Sequence, residues 1–307
     1  MLNFVYGALR GNAGPENASR LVAEVLGSLH RGDADMAVFE HVPAGSHLYR
    51  AVLQLPGILE RGIPPELRIH HRLRLPEHSE ALYKMLSPRH RQNYRRKGRK
   101  LLEDFSGDVH IRCYRQFSDA VFAEVESIAR KSYQRGLGSG FQDTPEMRGR
   151  WELAATKGWL RVHVLYVGGK PCAYWVATAL AGTLWGEYIG YDPAYASYSP
   201  GMYLLLKSIA DLCDHKDDDD IAEVDFGLGD AEYKAILSNH SFQESSISIY
   251  GRTLRGLGTN FLSTPVSLAD RFVRRFLAQR NLLAVMKKVW RNYAAPDLNS
   301  STSRANG

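Results

Sequence analysis

Hydrophobic positions in the first part of the chain repeat alternately with the periods of helices and strands. The predicted elements are a helix over 16–31, a strand over 36–40, a helix over 46–55 and a strand over 67–75. Leu21, Val25 and Leu29 line one face of the first helix, which Asn17 is predicted to cap. Alternation in the last strand predicts one shared face made of Leu67, Ile69, His71, Leu73 and Leu75. This order is αβαβ, with no strand ahead of the first helix.

The second part of the chain carries a longer series of the same signals. We predict a basic helix over 78–103, a strand over 109–113, helices over 118–133 and 144–157, and strands over 160–166, 170–180 and 183–190. Gly168-Gly169 forms the turn between two of these strands, which are rich in β-branched and aromatic residues. A helix beginning at Ser199-Pro200-Gly201, a strand over 222–227 and a closing strand over 247–250 complete the pattern. The fold class is therefore α/β (mixed α+β), a twisted mixed sheet with helices on both faces.

Composition and charge narrow the class of protein. The 307 residues are 44% hydrophobic and 23% charged, with a net charge of +6, which fits a globular protein with a substantial core. The three cysteines have neither metal-site nor disulfide spacing, and no signal peptide is evident, so we predict a cytoplasmic protein. No metal is predicted, because His70-His71 alternate faces without Cys or His partners and Asp217 to Asp220 cannot converge on one ion.

The segment from Leu184 to Gly201 is the strongest candidate for a site. An apolar strand turns through polar residues into a helix that begins with Pro200 and Gly201. The first turn of a helix has unpaired N–H groups and the positive end of the helix dipole, so it attracts anions. An ordinary turn into a helix would have the same residues, and spacing alone does not separate the two interpretations.

Several separate motifs carry a resemblance to one family. They are the basic helix over Arg89–Leu102, the hairpin over Leu165–Ala173, Tyr198-Ser199-Pro200-Gly201, Asp225-Phe226-Gly227 and Tyr233-Lys234. In this order they resemble GNAT superfamily acyltransferases of the CelD-like (cellulose biosynthesis) branch, which is related to FemABX-type aminoacyl transferases. The resemblance covers about residues 80–240. The chain departs from the wider superfamily where an Arg/Gln-x-x-Gly-x-Gly/Ala loop usually precedes the helix, since only Ser199-Pro200-Gly201 stands here.

The resemblance implies an activity and its co-substrate. We expect transfer of an acyl group from acetyl-CoA or another acyl-CoA to an amine or hydroxyl, on a cell-envelope or exopolysaccharide sugar. The expected donor site consists of Ile189, Gly190, Tyr191, Ser199, Pro200, Gly201 and Met202. A backbone N–H near Ile189 or Tyr191 would polarise the thioester carbonyl, with no covalent enzyme intermediate.

Four side chains are candidates for the chemistry itself. Glu187, flanked by Trp185 and Tyr188, is a candidate general base, and Asp225 at the end of the following strand competes with it. Tyr233 could protonate the departing thiolate, and Lys234 could hold a phosphate or carboxylate. Each also has a structural alternative: Glu187 as a surface strand residue, Asp225 as a loop cap, and Tyr233-Lys234 as a solvated helix start.

The resemblance also divides the chain. Residues 1–76 resemble the tail of a first GNAT-like unit whose opening strands are missing, so Met1 is interpreted as a late start or a fragment boundary. Residues 77–255 would be the catalytic domain, 256–294 a basic amphipathic helical segment, and 295–307 a disordered tail.

Two basic segments leave alternative partners open. The run Arg89 to Lys100 could face an anionic substrate, bind nucleic acid or be solvated. The segment 268–293 could lie on an anionic membrane, at the inner membrane surface, or dock on the core. The alternative functions are a FemABX-like aminoacyl-tRNA-dependent transferase, for which tRNA would be the one nucleic acid bound, and a noncatalytic basic protein binding membrane or nucleic acid.

Overall fold

The chain forms two compact units. The computed structural model describes residues 1–5, 7, 9, 12–63, 66–132, 135, 140–215, 220–227, 231–263 and 265. Among these residues, the N-terminal unit comprises Met1–His70 together with those from Ser241 onward, and the second unit comprises His71–His240. The predicted segment 268–293, the tail 295–307 and most of the aspartate run lie outside the described residues. Within the described part of the chain, no helix has the length and apolar content that a membrane crossing needs.

The N-terminal unit packs two helices on a small mixed sheet. Its elements are β1 (Leu2–Phe4), α1 (Pro15–Arg31), β2 (Met36–Pro43), α2 (His47–Gln54), the start of β3 (Arg68–Arg74) and β9 (His240–Tyr250). Strand β1 runs parallel to β2, and β2 runs antiparallel to β9. The buried core includes Val22, Leu29, Phe39, Val52 and Ile249. Two predictions were wrong: β1 precedes the first helix, and that helix is capped by Gly14, which leaves Asn17 inside it.

The second unit is built on a six-strand order, β3-β8-β7-β6-β5-β4. Its strands after β3 are β4 (Val109–Tyr114), β5 (Leu160–Val167), β6 (Lys170–Leu180), β7 (Thr183–Tyr191) and β8 (Glu223–Asp225). Its helices are α3 (Ser79–Met85), α4 (Pro88–Asp104), α5 (Asp119–Lys131), α6 (Pro145–Thr156), a 3₁₀ helix (Pro193–Tyr198), α7 (Pro200–Asp214) and α8 (Glu232–Leu237). Strands β7 and β8 are parallel, and the other neighbours are antiparallel.

Alternation along β5 and β6 gives this sheet two buried faces. Leu165, Ala173 and Trp175 pack in one core together with α7 residues such as Leu205 and Ile209. Val164, Tyr174 and Val176 pack in a second core with α5 and α6. Both faces are covered because each strand alternates side chains between them. The predicted fold class, a mixed sheet flanked by helices, is thus confirmed.

The predicted long basic helix is two helices. The residue between them, Leu86, is extended (ψ 139°), and Ser87 caps α4 by accepting a hydrogen bond from the backbone N–H of His90. Pro88 then occupies the first turn of α4. A residue close before proline is disfavoured in the helical region, and serine followed by proline is a typical helix start, so the break has a local cause.

The predicted face of β3 is buried only in part. Leu73 is fully buried, whereas Ile69 is 60% exposed and His70, on the opposite face, is only 2% exposed. The domain limits at residues 76 and 255 stay predictions. The contacts group β9, expected to close the sheet of the second domain, with β2 in the N-terminal unit.

Candidate functional site

The end of β7 meets the beginning of α7. A side-chain Cβ added at Gly201 would lie 3.4 Å from Cδ1 of Tyr191 and 4.0 Å from Cδ1 of Ile189. The fold therefore brings Ile189, Tyr191 and Gly201 together across the intervening 3₁₀ helix. At Gly190 a Cβ would come within 2.6 Å of the Tyr174 ring, so this position requires glycine.

Backbone N–H groups at the end of β7 lie beyond the point where its described pairing with β8 ends. The N–H of Asp192 donates to the carbonyl of Cys172 on the β6 side, and Tyr191 is paired with Ala173. Because the direction of N–H groups alternates along a strand, Ile189 and Tyr191 present theirs to the opposite edge. On that edge β8 pairs with β7 only as far as Asp225, opposite Trp185. This arrangement offers donors to a carbonyl oxygen lying beside Ile189 and Tyr191.

Glu187 occupies an irregularity in β7. The register with β6 shifts between Val176, which pairs with Tyr188, and Ala177, which pairs with Gly186. Such a bulge re-aims the side chain of the extra residue. The Glu187 carboxylate accepts hydrogen bonds from Arg150 (3.0 Å) and the Thr178 hydroxyl (2.8 Å), and its side chain is 12% exposed. It is therefore a largely buried, ion-paired carboxylate on the side of α6.

The beginning of α7 has an unusual cap. Ser199 lies in the left-handed region (φ 53°, ψ 56°), and its side chain makes no capping hydrogen bond to the helix. Its Oγ instead accepts a hydrogen bond from Nζ of Lys97 on α4, at 2.6 Å. A lysine cation thus lies beside the positive end of the α7 dipole, and the two together favour an anionic group such as a phosphate.

Helix α4 extends this positive region. Gly98 allows close packing of α4 on α7, since a Cβ there would lie 3.2 Å from the Tyr203 ring. Away from that contact, one open face of α4 carries five basic residues and one acid. They are Arg91, Arg95, Arg96, Arg99, Lys100 and Glu103. The basic run is therefore a helix face adjoining the helix with the candidate anion site.

The predicted residues Asp225, Tyr233 and Lys234 form a second cluster. Asp225 is fully buried and accepts hydrogen bonds from Nε of Arg72 and the backbone N–H of Gly227, each at 2.8 Å. Nζ of Lys234, also buried, donates to the carbonyl of Gly227 at 2.9 Å. The Tyr233 ring packs edge-on against Phe226. These contacts tie Asp225 and Lys234 to Gly227, which is the structural alternative that the sequence left open for Asp225.

Sequence reasoning did not single out Lys97, Arg150 or Arg72. Lys97 stood in a recognised basic run, but nothing distinguished it from six other cations there. Arg72 lies 153 residues from its partner Asp225, and Arg150 lies 37 residues from Glu187, so neither pair has a local signal.

The thiol nearest this site is not suited to nucleophilic attack. Burial raises the pKa of Cys172 to about 12, and the nearby Asp192 carboxylate adds to the shift. A thiol with such a pKa carries almost no thiolate at neutral pH. Cys172 is therefore a poor candidate for a nucleophile, and direct transfer to the acceptor stays a prediction.

Comparison with known proteins identifies the central segment. Residues 88–235 match the model of a family described as an acetyltransferase (GNAT) domain. This segment is therefore similar to a GNAT acetyltransferase domain. The match covers both α4 and the junction of β7 with α7, so the candidate site lies inside the matched segment. None of the curated proteins compared matches the chain.

Solved structures share the fold at low identity. FemX has a TM-score of 0.54 and 9% identity, over 77% of this chain and 77% of its own. The C-terminal domain (DUF2156) of a putative lysylphosphatidylglycerol synthetase from Agrobacterium fabrum has a TM-score of 0.50 and 11% identity, over 83% of this chain and 77% of its own. At this identity the likeness concerns the fold alone.

Proposed function

We propose that this protein is a GNAT acyltransferase, which transfers an acetyl or other acyl group from acyl-CoA to an amine or hydroxyl. The observation that supports it best is the junction of β7 and α7, where outward N–H groups, an uncapped helix start and Lys97 lie close together. A thioester with a pyrophosphate some distance away requires these features in this order. The N–H groups at the strand end would donate hydrogen bonds to the thioester carbonyl oxygen, and those at the helix start would donate to the anionic pyrophosphate.

Each part of the junction has a proposed task. The first turn of α7 and Lys97 bind the pyrophosphate, and Gly201 leaves room for the donor next to Tyr191. The N–H of Ile189 or Tyr191 donates to the thioester oxygen, which gains negative charge when the acceptor attacks. Glu187 takes the proton from the acceptor, directly or through a water. Tyr233 protonates the departing thiolate, and Lys234 keeps the neighbouring loop in position.

The acceptor is the least constrained part of the proposal. An envelope or exopolysaccharide sugar follows from the CelD-like resemblance of the sequence motifs. The cytoplasmic location and the contact with an anionic membrane surface likewise stay predictions, because the basic C-terminal segment lies outside the described residues.

A second candidate is an aminoacyl transferase that uses aminoacyl-tRNA. Two observations favour it: the shared fold with FemX and with the lysylphosphatidylglycerol synthetase domain, and the basic face of α4. A polyanion such as tRNA would bind to a row of exposed arginines with strong salt dependence. Under this alternative the N–H groups at the end of β7 would donate hydrogen bonds to the carbonyl oxygen of an aminoacyl ester in place of that of a thioester. The noncatalytic alternative shares the salt dependence but predicts no response to either donor.

The first experiment is a calorimetric titration of the purified chain with acetyl-CoA and with free coenzyme A. Gly201→Asp and Gly201→Ala form a matched pair, because the Cβ position lies at an ordinary contact distance from Tyr191 and either residue fits the backbone. We expect Gly201→Ala to keep most of the affinity. Gly201→Asp should weaken binding by about 100-fold, since it puts a carboxylate where a phosphate would bind.

Two results would count against the acyl-CoA proposal. One is a folded wild-type protein that binds neither acetyl-CoA nor coenzyme A. The other is equal binding by both Gly201 variants, which would place the donor elsewhere. In the first case, salt-dependent binding of aminoacyl-tRNA together with aminoacyl transfer would support the second candidate. Binding without transfer would support the noncatalytic one.

A further inference from the structure

Three side chains with metal-binding atoms lie close together in the N-terminal unit, and each comes from a different strand. His41 belongs to β2, His70 to β3 and Glu244 to β9. One ligand atom from each lies within 4.8 Å of the others, and this is the one such group of three or more among the described residues. Because the three positions are far apart in sequence, the spacing of these residues does not predict that they form a group.

The backbone is bent to bring His41 into the group. The pairing of β2 with β9 shifts between Phe39 and Val42, and His41 has φ 59°, a value that a histidine adopts only at a cost. Phe39 and Val42 both enter the apolar core of this unit, whereas His41 contacts Glu244. The bulge therefore redirects His41 away from the core, and strain of this kind is concentrated at functional positions.

The geometry is compact and enclosed. Nδ1 of His41 lies 3.0 Å and Nδ1 of His70 lies 2.7 Å from Oε1 of Glu244. The side chains of His70 and Glu244 are 1% and 2% exposed, and that of His41 is 15% exposed. Ligand atoms around a tetrahedral ion with bonds of about 2.0 to 2.1 Å lie roughly 3.3 Å apart. Small rotations of the side chains would bring the three atoms to that spacing, and His41 is the most exposed of the three residues.

The carboxylate of Glu244 is incompletely satisfied. Nδ1 of His41 and Nδ1 of His70 both contact one of its oxygens, Oε1. Its second oxygen, Oε2, is buried and has no hydrogen-bond partner in the described part of the chain. A buried anionic oxygen without a partner is costly, and a bound cation would remove that cost.

We propose that His41, His70 and Glu244 bind one divalent transition-metal ion through two imidazole nitrogens and one carboxylate oxygen. This ligand set suits Zn²⁺ and its first-row neighbours, whereas Mg²⁺ and Ca²⁺ prefer oxygen ligands alone. Three protein ligands leave a fourth position for water or another small ligand. The proposal is independent of the acyl-transfer site, which lies in the second unit.

The test uses the full chain, purified without a histidine tag and stripped of metal by a chelator. Titration with Zn²⁺ is followed by calorimetry, and titration with Co²⁺ by the visible absorption that direct ligands produce. The variants are His41→Gln, His70→Gln and Glu244→Gln. The matched control is His30→Gln, which removes the imidazole from another contact with a buried glutamate, Glu60, where Arg252 already supplies a cation.

We expect one equivalent of Zn²⁺ per wild-type chain, a Co²⁺ absorption band and a rise in the unfolding midpoint when Zn²⁺ is present. Each of the three variants should weaken binding by about 100-fold or more, and the control should bind as wild type does. If a variant of the buried His70 or Glu244 fails to fold, the more exposed His41→Gln and the wild-type midpoint decide the question. A folded wild-type chain without stoichiometric binding, or binding that all three variants retain, would overturn the proposal and leave a hydrogen-bonded triad.

Discussion

Two regions of the second unit were predicted as one site, and they differ in how far their polar groups are satisfied. At the junction of β7 and α7, strand N–H groups face an edge that β8 does not cover, and Ser199 leaves the helix start uncapped. At the end of β8, Asp225 and Lys234 are buried and engaged with Arg72 and the 225–227 loop. Polar groups that are fully used inside the protein stabilise it, whereas groups left open at a strand and helix end are available to a ligand.

The largest expected effect comes from Asp225→Asn. The substitution removes the buried carboxylate that lies 2.8 Å from Nε of Arg72 and leaves the longer 3.6 Å contact with Glu223. Removing one partner of a buried ion pair typically costs about 3–5 kcal/mol of stability. Urea unfolding should show this loss, while the folded fraction keeps its affinity for coenzyme A. Glu80→Gln is the control, because Glu80 pairs with Lys84 on an exposed helix surface, and it should leave the stability almost unchanged. A nearly stable Asp225→Asn protein that has lost coenzyme A binding would reverse the roles assigned to the two regions.

Glu187→Gln tests whether the junction includes the base. If Glu187 takes the acceptor proton, the turnover rate should fall by about 100-fold or more, with little change in acyl-CoA affinity. Arg150→Gln is the informative partner variant, since it removes the 3.0 Å ion pair and keeps the carboxylate. Equal, small losses in both variants would instead indicate a structural ion pair, and Asp225 would become the remaining carboxylate candidate.

A smaller effect is expected from Lys97→Gln. Losing one cation beside the α7 N-terminus should weaken coenzyme A binding by about fivefold, or roughly 1 kcal/mol, and more at low salt. Arg89→Gln removes a charge from the exposed start of the same helix and serves as the control. If Lys97 binds the pyrophosphate, Lys97→Gln should lose the same factor of affinity for dephospho-coenzyme A as for coenzyme A. A loss of affinity for coenzyme A alone would indicate that Lys97 binds the ribose phosphate.

The smallest effect should follow from modifying thiols. Cys113 is exposed, whereas Cys172 and Cys213 are buried, and burial raises the pKa of Cys172 to about 12. An alkylating reagent at pH 8 should therefore label Cys113 in the native protein, spare Cys172 and leave activity unchanged. Peptide mass spectrometry after short exposure measures this. Rapid labelling of Cys172 with loss of activity would contradict direct transfer.

The sequence predicted most elements because their signals are local. The turn at Gly168-Gly169 was placed correctly, and both glycines have positive φ as a tight turn requires. The break before α4 also had a local signal, Ser87-Pro88, which the basic run around it obscured. By contrast, the face of β3 could not be taken from alternation alone, since His70 is buried among partners from other strands while Ile69 is exposed.

The sequence by itself determined the junction of β7 and α7, because strand, turn and helix start follow one another within a short stretch. Periodicity and Pro-Gly punctuation act over such distances. Only the tertiary structure decided which charges meet: Lys97 with Ser199, Arg72 with Asp225, and His41 with His70 and Glu244. Those pairings depend on strand register and helix packing, which are set by the whole core and leave no trace in the spacing of the residues concerned.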